Sequence, residues 1–175
     1  HNVIALLEAG YNVIIFDNLE LGHLETVETL KEIKAKGSVI DFIEGNLLLI
    51  QDVEAVFAKY QIDAIMHFAA YSQVAESVKE PQKYYYNNVL GTLNLLNTAM
   101  EYDVNKIVFS STAATYGEPE YIPIDENHPQ NPINTYGKTK LMIESIMDDY
   151  DKAYGLKSVR LRYFNVAGAD SKNRV

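Results

Sequence analysis

Two neighbouring stretches decide how this chain is read: KIVFSSTAATYG, Lys106–Gly117, and NTYGKTK, Asn134–Lys140. In the first, an apolar run (Ile107, Val108, Phe109) gives way to hydroxyls at Ser110, Ser111 and Thr112, as in a buried strand that ends at a polar site. After a proline-rich loop, a helix opens with Tyr136 and Lys140 four residues apart, on one helix face. A phenol and an ammonium side by side make a proton-transfer pair. The ammonium favours phenolate and draws the tyrosine down from its free pKa of about 10. Thr112, at the end of the preceding strand, is placed to hydrogen-bond the same substrate oxygen.

The spacing alone is weak evidence, because in a chain with 13 tyrosines a Tyr-x-x-x-Lys pair arises about once by chance. A second pair, Tyr102 and Lys106, is expected to straddle a helix end and a strand start. The context of the first pair differs. Tyr136, Lys140, Ile143, Met147, Tyr150 and Tyr154 share one helical stripe, otherwise apolar and directed at the sheet. A lysine on such a stripe is costly unless it has a partner or a task. The competing reading is a structural lysine whose stem packs while its head reaches water.

The 175 residues suffice for one sizeable core, and 47% apolar with 22% charged residues is ordinary for a globular protein. A net charge of −9 without a basic cluster argues against nucleic acid and against anionic membrane surfaces as partners. The absence of cysteine excludes thiolate chemistry and disulfides, and the four histidines lack metal-ligand spacing. A cytoplasmic location is expected.

The sequence predicts a helix in HNVIALLEAG, a strand over Asn12–Phe16, a helix from about His23 to Lys36 and a strand over Val39–Ile43. A helix over Asp52–Tyr60, a strand over Ala64–Phe68 and a loop, FAAYSQVAES, follow. Next are one long helix from Pro81 to Tyr102, a strand over Lys106–Phe109, the Tyr136 helix to about Tyr154 with Gly155 as its cap, and a strand over Ser158–Tyr163. Such alternation means a parallel α/β sheet, which takes ligands at the carboxyl ends of its strands. An acid there, Asp17, can accept both hydroxyls of an adenosine ribose, selecting NAD over NADP; the competing reading is a turn or cap aspartate.

With these residues on the page, the chain resembles the extended short-chain dehydrogenase/reductase family, and within it the UDP-glucose 4-epimerase branch. GYNVIIFDNL, IMHFAAYSQVAES, YYYNNVLGTLNLL, VFSSTAATYGEP, NPINTYGKTKLMIE and LRYFNVAGAD carry the likeness in order, across essentially all 175 residues. The resemblance implies an α/β fold, a Rossmann-like doubly wound parallel sheet lacking its first strand and Gly-rich loop. It divides the chain into an incomplete NAD-binding domain, 1–165, and the start of a substrate-binding domain, 166–175.

The resemblance further implies interconversion of UDP-glucose and UDP-galactose with NAD as cofactor and a UDP-sugar as substrate. Tyr136 would act as the base, Thr112 would bind the same oxygen, and Lys140 would hold the nicotinamide ribose. Asp17, Asn18, Leu19, Leu21 and Gly22 would surround the adenosine, with Asn46 and Leu47 near the adenine. Phe68, Ala69, Ala70, Tyr71, Ser72, Asn87 and Phe164 would line the remaining cofactor site, and Asn165 would touch the nucleotide-sugar. Three positions depart from the pattern: Asn46 replaces a frequent Asp, Ser72 stands where some members have Lys, and Thr112 replaces a Ser. The Pro81–Tyr102 and Tyr136–Tyr154 helices would pair with a second copy in a homodimer. Rival readings are a 4,6-dehydratase, a UDP-glucuronate decarboxylase and a non-catalytic NAD-binding regulator. Ala113 and Ala114 after Thr112 lack the acid that dehydration needs.

Overall fold

The computed structural model describes residues 1–33, 37–170, 172 and 174. They fall into two compact units, His1–Asn46 with Val166–Val175, and Leu47–Asn165.

In the first unit, α1 (Asn2–Glu8) leads through Gly10, at φ 84, into β1 (Val13–Asp17), and α2 (Leu24–Ile33) leads into β2 (Ile40–Glu44). The end of the helix expected to reach Lys36 lies outside the described residues. β1 and β2 run parallel, with Val13 opposite Ile40 and Asp17 opposite Glu44. Both strands therefore begin and end one residue later than the apolar pattern predicts, the ladder continuing through two acids that the period of apolar residues does not count. Ile4, Leu7, Val13, Leu30 and Ile40 form this unit's core.

The second unit contains α3 (Ile50–Lys59), β3 (Ile65–His67), α4 (Val74–Lys79), α5 (Pro81–Tyr84), α6 (Gly91–Glu101), β4 (Lys106–Thr112), α7 (Thr135–Tyr154) and β5 (Lys157–Tyr163). Its three strands pair in parallel with β4 in the middle. Leu96, Ile107, Phe109, Ile143, Met147 and Leu156 make the core, so α6 and α7 both press on β4. On the predicted α7 stripe, Lys140, Ile143 and Met147 are buried, whereas Tyr154 at the end is 64% exposed. Asn134 caps α7 by accepting the Gly137 N–H at 2.8 Å, and Gly155 closes it at φ 76. Tyr102 and Lys106 do straddle the end of α6 and the start of β4.

Three expectations change. The segment read as a loop after β3 contains the helix α4, too short to register a period. The single helix predicted over Pro81–Tyr102 is α5 and α6 joined by a π-helical segment, Tyr85–Leu90. β4 runs through all three hydroxyls to Thr112, because β5 pairs with it to the end, Thr112 opposite Tyr163.

Candidate functional site

The last residue of β4 and the first turn of α7 meet closely. A Cβ on Gly137 would lie 2.5 Å from the carbonyl oxygen of Ala114, so glycine is what lets this helix turn approach the backbone just after Thr112. Ala114 donates its N–H to Thr112 Oγ1 at 3.1 Å. The Tyr136 N–H, one of the unpaired donors of a helix start, is accepted by Ser77 Oγ of α4 at 3.1 Å. The Tyr136 phenol is half-buried here, and the Thr112 hydroxyl acts on it in favour of the ionised form.

Lys140 is 2% exposed. Its Nζ donates to the Ser110 carbonyl at 2.9 Å and lies 4.7 Å from the Phe109 ring centre and 5.9 Å from that of Tyr136. Burial lowers the lysine to about 8. For Tyr136 the sequence-based expectation is corrected: burial raises the phenol, outweighing the influence of the Thr112 hydroxyl, which acts the other way. The ammonium is spent on the Ser110 carbonyl rather than on the phenol oxygen.

His67, at the end of β3, is buried and pushed down to about 3, first by burial and then by the Lys140 charge. Its Nε2 lies 2.9 Å from Thr92 Oγ1, and that hydroxyl gives its proton to the Asn88 carbonyl at 2.5 Å. His67 is therefore neutral and donates through Nε2.

The turn after β3 is held from the π-helical segment. Buried Asn88 accepts the Tyr71 N–H at 2.9 Å and donates to the Tyr71 carbonyl at 3.0 Å, fixing both backbone groups of one residue. Asn87 donates to Asn88 Oδ1 at 3.0 Å. Lys83 stands 4.1 Å from the Tyr71 ring centre and 2.8 Å from Glu76. Phe68, Ala69 and Ser72 are exposed and Ala70 is half-buried in this turn, while Phe164 and Asn165 are exposed beyond β5, at the carboxyl end of the same sheet. Leu47 is covered by Gly91, where a Cβ would come within 3.1 Å of the Leu47 Cβ, and its carbonyl accepts from Asn94 at 2.8 Å.

The predicted adenosine residues Asp17, Asn18, Leu19, Leu21, Gly22 and Asn46 belong to the first unit. Asp17 Oδ1 accepts the Leu19 N–H at 2.8 Å in a tight turn that holds Leu19 at φ 55, a conformation costing a non-glycine residue about 1–2 kcal/mol. A Cβ on Gly22 would sit 2.9 Å from Asp17 Oδ1. The turn reading thus accounts for one carboxylate oxygen, and the glycine brings backbone close against the acid.

Five residues with structural influence on the site escaped the sequence reading: His67, Ser77, Asn88, Glu144 and Arg162. Only Glu144 and Arg162 carried a signal, as charged residues within a sheet-facing helix and a buried strand. Among the described residues, no cluster of acids and histidines could hold a metal ion, and no helix is long and apolar enough to cross a membrane.

The family model described as GDP-mannose 4,6 dehydratase matches residues 1–175. A UDP-glucose 4-epimerase of Halalkalibacterium halodurans is 49% identical over 175 residues, covering 100% of this chain and 49% of that protein. A UDP-arabinose 4-epimerase 1 of Arabidopsis thaliana is 42% identical, covering 100% of this chain and 42% of that protein. Among solved structures, UDP-glucose 4-epimerase from Bifidobacterium longum in complex with NAD+ and UDP superposes with a TM-score of 0.95 at 38% identity, covering 100% of this chain and 52% of that one. The chain spans about half the length of the curated relatives it matches. With parallel strands, the Tyr136–Lys140 helix and a family match along every residue, the chain belongs to the GDP-mannose 4,6-dehydratase family of extended short-chain dehydrogenase/reductases.

Proposed function

We propose that the complete protein interconverts UDP-glucose and UDP-galactose through transient oxidation at C4 of the sugar, with NAD as a retained cofactor. The observation that carries this reading is the close approach of the first turn of α7, which bears Tyr136, to the backbone just after Thr112, with Lys140 buried one turn further on. The residues fit the cofactor: the Asp17 carboxylate beside Gly22 suits a free ribose diol, and the segment Asp17–Gly22 offers no cation for a 2′-phosphate. The chemistry supplied by bound NAD is uptake of hydride from C4 and its return to the opposite face. Tyr136 takes the proton of the 4-hydroxyl and later gives it back. Thr112 holds that oxygen, and Lys140 supplies the positive field that a phenol raised by burial requires. Asn46 and Leu47 are assigned to the adenine, Asn18, Leu19 and Leu21 to the rest of the adenosine. Phe68 to Ser72, Asn87 and Phe164 are assigned to the remaining cofactor surface, and Asn165 to the UDP-sugar.

Elimination is disfavoured although the family is described by a dehydratase, because Thr112 is followed by Ala113 and Ala114, which move no proton. The same proposal includes a cytoplasmic location and a homodimer. Tyr86 (56% exposed), Leu90 (41%) and Met142 (43%) on the π segment and α7 support the dimer as apolar side chains open to a second copy. Light scattering that finds only monomer at micromolar concentration would remove it.

The test of function is incubation of the full-length protein with UDP-galactose, without added NAD, while UDP-glucose is followed. Conversion lost in Tyr136→Phe supports the proposal. Conversion that waits for added NAD keeps the reaction and removes cofactor retention, with Ser72 the position to restore as Lys. No conversion with NAD present overturns the proposal and favours a different nucleotide-sugar or a regulatory role.

A further inference from the structure

Lys140 and Glu144 are four residues apart on α7, the spacing at which opposite charges pair on a helix, and both are 2% exposed. Among the described residues they form no ion pair. Lys140 turns to the Ser110 carbonyl. Glu144 turns the other way: its Oε2 takes Arg162 Nη2 at 2.8 Å and Gln130 Nε2 at 3.3 Å, its Oε1 takes Arg162 Nε at 3.2 Å, and the Ser111 hydroxyl also donates to Oε1. Arg162 is fixed in turn, donating through Nη1 to the Tyr116 hydroxyl at 3.0 Å and to the Glu126 carbonyl at 3.4 Å.

We propose that Arg162, with Ser111 and Gln130, is a positioning group that withholds Glu144 from Lys140, keeping the buried ammonium free of a counter-ion. The inference deepens the proposed use of Lys140 and rests on that reading for its purpose, though not for its geometry. A buried lysine ion-paired to its own helix would be held as a spectator, its charge cancelled where a phenolate and a ribose need it. Burial lowers Lys140 to about 8. Glu144 is itself kept below the usual carboxylate range: burial pushes it up, and the Arg162 and Ser111 hydrogen bonds outweigh that.

The other groups around Lys140 do not supply a counter-ion. His67 of β3 is neutral, Tyr136 of α7 is a protonated phenol, Glu76 of α4 is bound by Lys83 and Tyr84, and Asp148 of α7 is paired with Arg160 of β5. Arg162 is therefore the group whose loss alters the charge balance at Lys140.

The experiment is titration of the Lys140 side chain by carbon-detected NMR in the full-length protein, with Lys140→Met providing the assignment. In Arg162→Met, Glu144 is released and Lys140 titrates about one pH unit or more higher. In Arg162→Met/Glu144→Gln it returns to the starting value. An unmoved titration in Arg162→Met, or a double variant that fails to return, overturns the proposal. Should Arg162→Met not fold, Glu144→Gln alone decides. Unchanged Lys140 titration supports the withholding of Glu144, and a fall of about one pH unit means Glu144 already serves as counter-ion and overturns it. These readouts need no turnover, so loss of epimerase activity as a function leaves them standing.

Discussion

The hydroxyl of Ser77, fully buried in α4, accepts the backbone N–H of Tyr136 at 3.1 Å while donating to the Val74 carbonyl at 2.7 Å. One small side chain thereby caps the helix that carries the candidate base and docks α4 against it. Ser77→Ala leaves the Tyr136 donor without its partner. Urea unfolding of the variant is expected to show a loss of about 1–3 kcal/mol, and turnover at saturating substrate is expected to fall more than the KM changes.

Gly137→Ala tests the close approach that joins α7 to the end of β4. Its Cβ would lie 2.5 Å from the Ala114 oxygen and 3.0 Å from Pro132 Cβ, so backbone must move. Because the displaced segment follows Thr112, Thr112 and Tyr136 are moved out of register with each other. Steady-state kinetics are expected to show kcat reduced by about 10²-fold or more in protein that remains folded by circular dichroism.

Lys140 is a stability burden in the folded chain. Its pKa is about 8 in the folded chain against 10.5 as a free group. The unfolded chain thus binds the proton more tightly, and stability rises as pH climbs from about 8 to 10.5. Lys140→Met is expected to stabilise the fold at pH 7 by at most about 3 kcal/mol while abolishing turnover. Denaturant midpoints of the two proteins should converge above pH 10.

His67 sets an opposite margin, in acid. With its pKa held at about 3 instead of 6.5, the unfolded chain takes up a proton that the folded chain refuses, and stability falls as pH drops between these values. His67→Gln, which can still donate to Thr92, is expected to flatten the stability profile between pH 6 and 4. Chemical denaturation across that range, compared with the unmodified protein, reads the difference directly.

The strands, α7 and its closing glycine were legible because each carries its cause locally: β-branched runs, a stripe at the helical period, a glycine in the left-handed region. Thr112 and Tyr136 were legible for the same reason, as a strand end and a helix start. What stayed hidden depends on partners distant in sequence. Ser77 and Asn88 are small polar residues whose roles arise when α4 and the π segment meet α7 and the Tyr71 turn, 59 and 17 residues away. The pKa of Tyr136 was misjudged because spacing puts Lys140 on the same face without saying that its ammonium reaches the Ser110 carbonyl. Asp17 was weighed as a ribose ligand or a turn residue, and one of its oxygens holds the Leu19 turn.

The π-helical stretch Tyr85–Leu90 has a consequence for tolerance to change. A π turn is an α-helix with one residue added, which advances the phase of everything after it by about 100°. Asn88 lies within it, so the grip on Tyr71 depends on a count of residues as well as on an amide. Removing Tyr86 would regularise the rod and swing Asn88 off Tyr71, releasing the turn after β3 while Thr112, Tyr136 and Lys140 remained in place.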